Sequence, residues 1–364
     1  MNAKLEALNA CDLVLSAPDI SPATERAARL AIIDNLSPLA DHGVPVAFHR
    51  IAFPVPEHLA LCNPSIIHDD PRSCFRVVVR ATNYRFTESG AYAFRSPGGF
   101  QSFNYLAVLD ERLELRRVQP ISDDRYRLSP PASYPVTGLE DLRLIRFRDQ
   151  WWAVSSNPNV DDRPITQPVL VRIRNGELTK RRLLTSRNNT RMEKNWMPAV
   201  DPRTGHLHLV YSCSPTVVLR YHHKSATVEP ARIHAAPLLA RGLRGGSQVI
   251  PFDGGYLCLV HDFTVRDGEI KRTYFHRWLW FTRTWKVGKL SSPFYLRHHG
   301  VEFVAGLTRV RESFLISFGV NDAEAWLARV PVEHVRAMLK EPLSPGEARR
   351  QLKRVQRAFV RHRW

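Results

Sequence analysis

Five stretches of this chain follow one plan, and that repetition constrains the fold more than any other feature of the sequence. Each opens on polar or acidic residues, runs into an apolar strand, turns, continues as an aromatic-rich strand and ends polar again. The copies are NPSIIHDDPRSCFRVVVRATN from Asn63, GLEDLRLIRFRDQWWAVSSN from Gly138, KNWMPAVDPRTGHLHLVYSCS from Lys194, GGSQVIPFDGGYLCLVHD from Gly245 and GVEFVAGLTRVRESFLISFGVND from Gly300. Their starts lie about 50 to 75 residues apart, the period of a four-stranded propeller blade rather than of a helical solenoid. The expected fold is therefore all-β, a five-bladed β-propeller over residues 51–330, with a helical extension over 1–50 and basic helices over 331–364.

The ends carry the helical signals. Ser21-Pro22 reads as an N-cap followed by proline in the first turn, and Ala27, Leu30, Ile33 and Leu36 recur at helical spacing. A second helix is expected from Pro331, with Val332, Val335, Met338 and Leu339 on one face. After Ser344-Pro345-Gly346, a basic amphipathic helix carries Leu352, Val355 and Phe359 as its apolar stripe. That stripe suits docking on its own domain, with a membrane surface or an acidic partner as the alternative.

Composition narrows the class of function. An apolar fraction of 44% over 364 residues suits a fully folded protein. No window holds about 18 uninterrupted apolar residues, and Glu6 and Asp12 interrupt any signal-peptide run near the start. Cys11, Cys62, Cys74, Cys213 and Cys258 are odd in number, scattered and never spaced as CxxC, so neither a disulfide framework nor a zinc site is expected, and a cytoplasmic location is. The formal charge of +17 invites a nucleic-acid reading. From Ser344 onward, however, seven Lys or Arg face one acid, and the remaining excess is spread thinly with no RNP motif, zinc finger or arginine block. No nucleic-acid partner is expected.

In a propeller the inner strands of all blades run beside one axis, so polar residues at matching repeat positions converge at one mouth. The strand starts offer Asn63, Glu140, Asp141, Lys194, Asn195, Ser247, Gln248 and Glu302. The strand ends offer Arg80, Asn83, His261, Asn321 and Asp322. Alternation along a regular strand places Asp141 and Arg143 on one face and Glu140 on the other, so only one of the two adjacent acids would point squarely inward.

At these residues the chain resembles glycoside hydrolase family 130. Asn63-Pro64, GLEDLR, Lys194-Asn195, the GG…GGYLCLVH stretch and SFGVND stand in the order of that family's signposts, over about residues 60 to 330. The family comprises inverting β-mannoside phosphorylases with hydrolase and β-1,2-mannosyltransferase relatives. The resemblance implies that Asp141 is the catalytic acid of a GxEDPR-type motif, its proton relayed through a sugar hydroxyl. It implies that Glu140 and Arg143 contact sugar and phosphate, and that Arg80, Lys194 and His261 fall in phosphate-holding stretches. Leu142 replaces the motif's proline, and EKNW, GVEFVAG and GVNDAEAW mark a divergent branch.

Inverting glycosyl transfer needs a proton for the leaving oxygen and a nucleophile on the opposite face of the sugar. Water as nucleophile requires a second carboxylate as base, whereas phosphate requires fixed positive charge. One acid, Asp141, with Arg143, Arg80, Lys194 and His261 around it favours phosphate or a sugar-phosphate donor. The expected function is an inverting mannoside phosphorylase or mannosyltransferase without metal or cofactor, inorganic phosphate or a sugar phosphate serving as substrate. An oligosaccharide or glycoside is the expected partner, held by Asn63, Asn83, Asn195, Gln248, Glu302 and Asp322 besides the residues above. Homo-oligomerisation or a peripheral contact through the C-terminal basic helix remains open, as does a non-catalytic carbohydrate-binding propeller.

Hydrolysis remains an alternative, with Glu302 or Asp322 as base. For Glu302 an ion pair with arginine or a sugar contact competes, and for Asp322 a turn role in GVND. Trp196, Tyr274, His276 and Trp326 are candidates for stacking on sugars, against plain core packing. There is no P-loop and no HExxH, and the pairs Asp69-Asp70, Asp123-Asp124 and Asp161-Asp162 sit in turn-like contexts.

Overall fold

The computed structural model describes residues 3–126, 136–158, 165–185 and 191–361, with only the backbone for 355–361. Val355 and Phe359 of the expected stripe, and the Asp161-Asp162 pair, therefore lie outside the described side chains. Five mainly antiparallel sheets are arranged as the blades of a propeller, as the repeats require. Their inner strands are Ala60–Asp69, Glu140–Phe147, Met197–Val200, the split pair Arg244–Gly245 and Ile250–Phe252, and Glu302–Val310, each overlapping the start of one sequence repeat, the first and fourth beginning just ahead of it.

Turn chemistry sets the hairpins. Arg148-Asp149, Asn175-Gly176 and Asp253-Gly254 are two-residue turns with both residues at positive φ, the backbone twist that matches paired strands. Between neighbouring blades the strands bury one apolar layer each. Ile66, Phe75 and Val77 meet Leu315 and Leu327 between the first and last blades, and Ile145 and Trp152 meet Leu207 and Leu209 between the second and third. Phe252, Leu257 and Trp278 of the fourth blade meet Phe314 and Ile316 of the fifth.

The fifth blade is completed from the other end of the chain. Strand Ala47–Ile51 pairs antiparallel with Glu324–Pro331, from Ala47 opposite Arg329 to Ile51 opposite Ala325. The strand thus straddles the expected boundary at residue 50. A second feature absent from the repeat plan is the hairpin Tyr84–Phe86 with Tyr92–Phe94, inserted between the second and third strands of the first blade.

Among the described residues, four α-helices flank the ring: α1 (Ala3–Leu15), α2 (Pro22–Asn35), α3 (Val332–Met338) and α4 (Pro345–Arg361). Ser21 caps α2, its Oγ accepting from Thr24 N at 3.1 Å. The buried face of α2 is Ala28, Ile32 and Ile33 with Leu36 just beyond, while Ala27 is exposed, so the face is rotated from the expected one. Leu8, Cys11, Ile32 and Leu36 dock on Phe275 of the fourth blade. Arg277, buried in that blade, donates to both oxygens of Asp12 on α1 at 2.8 and 2.5 Å. Val332 and Val335 of α3 enter the core beside Leu339. α4 begins with a reciprocal capping box between Ser344 and Glu347 and packs against α1. Among the described residues no helix is long and apolar enough to cross a membrane.

Candidate active site

The inner strands meet at the axis, and there the backbone departs from regular strand geometry. Asn63, Asp141 and Asn195, from the first, second and third blades, have φ of 42°, 51° and 62°, and Asn321 and Asp322 at the end of the fifth repeat have 52° and 49°. Asn and Asp enter this left-handed region more readily than other residues bearing a Cβ. In the first two blades the strand register shifts at these points, a bulge that re-aims the side chains. The expectation that only one of Glu140 and Asp141 could point inward assumed a regular strand. Instead both acids reach the same guanidinium: Arg80 Nη1 donates to Asp141 Oδ1 at 3.0 Å and Arg80 Nη2 to Glu140 Oε1 at 3.2 Å.

Asn63 joins the blades. Its Nδ2 donates to Asp141 Oδ1 and to Asp322 Oδ1, each at 3.0 Å. Asn63 can approach the fifth blade because residue 319 is glycine: a Cβ there would collide with the Asn63 side-chain oxygen and lie 2.5 Å from its backbone nitrogen. Arg80 is held further by Tyr84 Oη at 2.6 Å and Ser102 Oγ at 2.9 Å. Lys194 Nζ stands 3.6 Å from Glu140 Oε2, with 46% of its side chain exposed.

These surroundings divide the two aspartates. Burial pushes the Asp141 carboxyl up, but Arg80, Arg143, the Asn63 amide and Lys194 together outweigh it and hold Asp141 below its ordinary value. Burial dominates at Asp322, and the negative charges of Asp141 and Glu140 reinforce it against Arg80 and Asn63. Its carboxyl is raised from 3.8 to about 6. One acid is thus an anion, and its neighbour titrates close to neutrality.

Other expected site residues have structural work. Arg143 is 1% exposed and spends its guanidinium on the carbonyls of Gly246, Asp141 and Gly245 and on Asn195 Oδ1, at 2.5 to 3.4 Å. It ties three blades together behind the acids, and burial lowers its pKa to about 10 despite Asp141. Gln248 lies deeper on the axis, donating to Ile66 O at 2.7 Å and accepting from Leu307 N at 3.1 Å. Asn83 is fully buried and organises the loop before the third strand of its blade, donating to Gly99 O and accepting from Gln101 N, both at 2.9 Å.

Two expectations are corrected. His261 does not add to the cations: burial first, then His276, Arg244 and Arg143, hold its pKa well below the ordinary value, and its ring stacks on Tyr274. Glu302 is no base. It is fully buried, and its oxygens accept the backbone N–H groups of Leu296, Arg297 and His298 at 2.7, 2.9 and 3.0 Å, leaving no face for a water or a sugar. Among the stacking candidates, Trp196 and His276 are buried, and Trp326 lies under the Arg297 guanidinium. Asp322 occupies the turn foreseen in GVND while its side chain reaches Asn63.

The sequence reading missed an aromatic wall. Tyr84, which holds Arg80, packs edge-on against Tyr92 and Phe100, and Tyr92 and Phe94 are 42% and 48% exposed. Burial first, then the charges of Asp322, Arg272, Glu140 and Lys194, act on the Tyr92 hydroxyl and raise its pKa, which places it beside the acids at the mouth. Its only sequence signal was the recurrence of aromatics in YRFTESGAYAFRSPGGF. Among the described residues no group of three or more His, Cys, Asp or Glu is placed to hold a metal ion.

No family model matches the chain, and no curated protein sequence does. Solved structures do. A β-1,2-mannobiose phosphorylase from Listeria innocua, in complex with β-1,2-mannobiose, superimposes with a TM-score of 0.55 at 12% identity, over 80% of this chain and 98% of that one. The fold is that of the mannoside phosphorylases. A second structure with the mannoside-phosphorylase fold, from work on GH130 hydrolases that target β-1,2-mannosidic linkages in Candida mannan, gives 0.53 at 14% identity, over 78% of this chain and 93% of its own. A GDP-Man-dependent mannosyltransferase from Leishmania mexicana gives 0.52 at 12% identity, over 78% and 89%.

Proposed function

We propose that this chain is a carbohydrate-active enzyme that transfers a glycosyl group, mannosyl by analogy with its structural neighbours, between a glycoside and an anionic co-substrate, inorganic phosphate or a sugar phosphate. The observation that carries this reading is the pair Asp141 and Asp322, bridged by Asn63 at the mouth of the propeller, with one carboxyl lowered and the other raised to about 6. Carboxyls pushed apart in this way divide acid and charge-stabilising work. Asp322 holds the proton that passes to the leaving oxygen, directly or through a sugar hydroxyl. Asp141, the acid expected from sequence to donate it, remains ionised and faces the positive charge that develops on the ring in the transition state.

The same geometry argues against hydrolysis with Asp322 as base. An inverting hydrolase separates its carboxyls by about 6.5–9.5 Å across the sugar. Two oxygens each 3.0 Å from one amide nitrogen are closer than that and belong to one wall of the pit. The nucleophile must come from the other side, and an anion needs a cation there. Among the described residues beside the acids, Arg80 and Arg143 are buried, and Lys194, paired with Glu140, keeps 46% of its side chain exposed.

The test is incubation with mannosides, glucosides and sugar 1-phosphates, with and without inorganic phosphate, followed by product analysis. Phosphate-dependent release of a sugar phosphate, or glycan synthesis from one, is expected, and it should fall by about 10²-fold or more in Asp322→Asn and Asp141→Asn. Normal oligosaccharide binding with no turnover under any of these conditions would make the chain a binding module and overturn the proposal.

A further inference from the structure

Far from the acids, the first and second blades enclose a cleft of ≈ 460 Å³, within the range of about 300–1,000 Å³ usual for small-molecule sites. The inner strand Glu140–Phe147 runs from Asp141 toward it, and at ~3.3 Å per residue its two ends lie roughly 20 Å apart. Arg72, Arg76, Arg117, Arg172 and Arg174 line the cleft, with Asp149 the only acid among the described residues that line it.

Two of those guanidiniums, Arg76 and Arg172, are pre-positioned rather than loose. Arg76 donates through Nε to the fully buried Asp69 at 3.0 Å and lies 4.7 Å over the Trp151 ring, so its two terminal nitrogens are not spent on Asp69. Arg172 is fixed by Thr179 Oγ1 at 2.7 Å and Gln150 Oε1 at 3.2 Å. Asp149 is 91% exposed and pairs with Arg146, so water screens it from the cleft. Ordering an arginine fork before the ligand arrives removes much of the cost of binding a phosphate.

We infer that this cleft is a second binding site, separate from the acids, for a small anion bearing two or more phosphate groups. Five guanidiniums contributed by two blades exceed what one phosphate can satisfy. The Trp151 ring already carries Arg76 and Arg146, which leaves recognition to the phosphates rather than to base stacking. Inorganic pyrophosphate and the diphosphate of a nucleotide share this chemistry.

Calorimetric titration of the full chain at low salt, with pyrophosphate, ADP and orthophosphate as separate ligands, tests the inference. Pyrophosphate should bind at one site per chain, at least tenfold tighter than orthophosphate. ADP within threefold of pyrophosphate identifies the diphosphate as the shared determinant; ADP more than tenfold tighter would mean that the base is read and would overturn the phosphate-only assignment. Arg172→Gln with Arg174→Gln should weaken pyrophosphate at least tenfold, and the exposed Arg117→Gln alone about threefold, each with an unchanged melting temperature. Lys194→Gln at the axial mouth should leave pyrophosphate binding unaltered. Loss of binding in Lys194→Gln but not in the arginine variants would reassign the ligand to the axial site. Absence of saturable binding, or tighter binding of a single-stranded oligonucleotide lost in the same variants, would overturn the inference.

Discussion

Asp141 and Asp322 accept hydrogen bonds from the same nitrogen, Asn63 Nδ2, at 3.0 Å each. Two carboxyls that share a donor in a buried setting resist ionising together. With Asp322 titrating at about 6, kcat/KM should fall tenfold per pH unit above that value, because the free enzyme loses its proton donor. Asp322→Asn should remove this limb and lower kcat by about 10²–10⁴-fold. A profile that stays flat to pH 8 in the parent enzyme would transfer the donor role elsewhere.

The same proton bears on stability. Unfolded, Asp322 ionises near its ordinary 3.8; folded, at about 6. The folded chain holds the proton more tightly, so the stability tied to Asp322 is fully present below about pH 4, declines up to about pH 6 and is level beyond. Asp322→Asn should therefore gain up to about 3 kcal/mol at pH 7.5 and little at pH 4. Melting curves at both values check this, and equal shifts would contradict it. Asp141, lowered by its cations, acts in the opposite sense and stabilises the fold at neutral pH.

Gly319→Ala probes the bridge from behind. The new methyl meets Asn63 at its side-chain oxygen and backbone nitrogen, and relief of that clash costs about 1–3 kcal/mol. Activity measured well below the melting temperature should also drop, because Asn63 can no longer sit between the two acids. A variant with the lower melting temperature but full kcat would show that the bridge is not needed for turnover.

At the mouth, Tyr92→Ala should raise KM for an oligosaccharide about fivefold while kcat stays within twofold, and Tyr92→Phe should restore KM. A stacking contact worth about 1 kcal/mol accounts for that change. An unchanged KM in the alanine variant would remove the hairpin from substrate recognition.

Glu302→Gln should destabilise the protein by about 3 kcal/mol without a selective loss of kcat, since the carboxylate serves three backbone donors in a dry interior. Full stability with lost activity would restore Glu302 as a catalytic candidate.

The ring of blades was legible because each repeat keeps its apolar alternation and its turns, as in Asp253-Gly254. The convergence of Asn63, Asp141 and Asp322 was legible because polar residues at matching repeat positions of a propeller meet at one mouth. What the residues then do was not. Glu302 opens the fifth repeat and Asp322 closes it, and only their hydrogen-bond partners separate a clamp on backbone amides from a titrating acid. Arg143 and Arg80 look alike in sequence, yet one is spent on carbonyls and the other on carboxylates. The strand Ala47–Ile51 escaped notice because most of its residues are exposed, which erases the alternation by which a half-buried strand is recognised.

That strand also fixes when the ring can shut. Ala47 finds its partner only at Arg329, so a nascent chain carries an unmated ribbon until nearly all five blades have left the ribosome. Until then Ala47–Ile51 has no strand to pair with, and a second nascent chain can lend one in place of the missing Glu324–Pro331. Pairing within one molecule covers the edge of Glu324–Pro331 that would otherwise stay open to another chain.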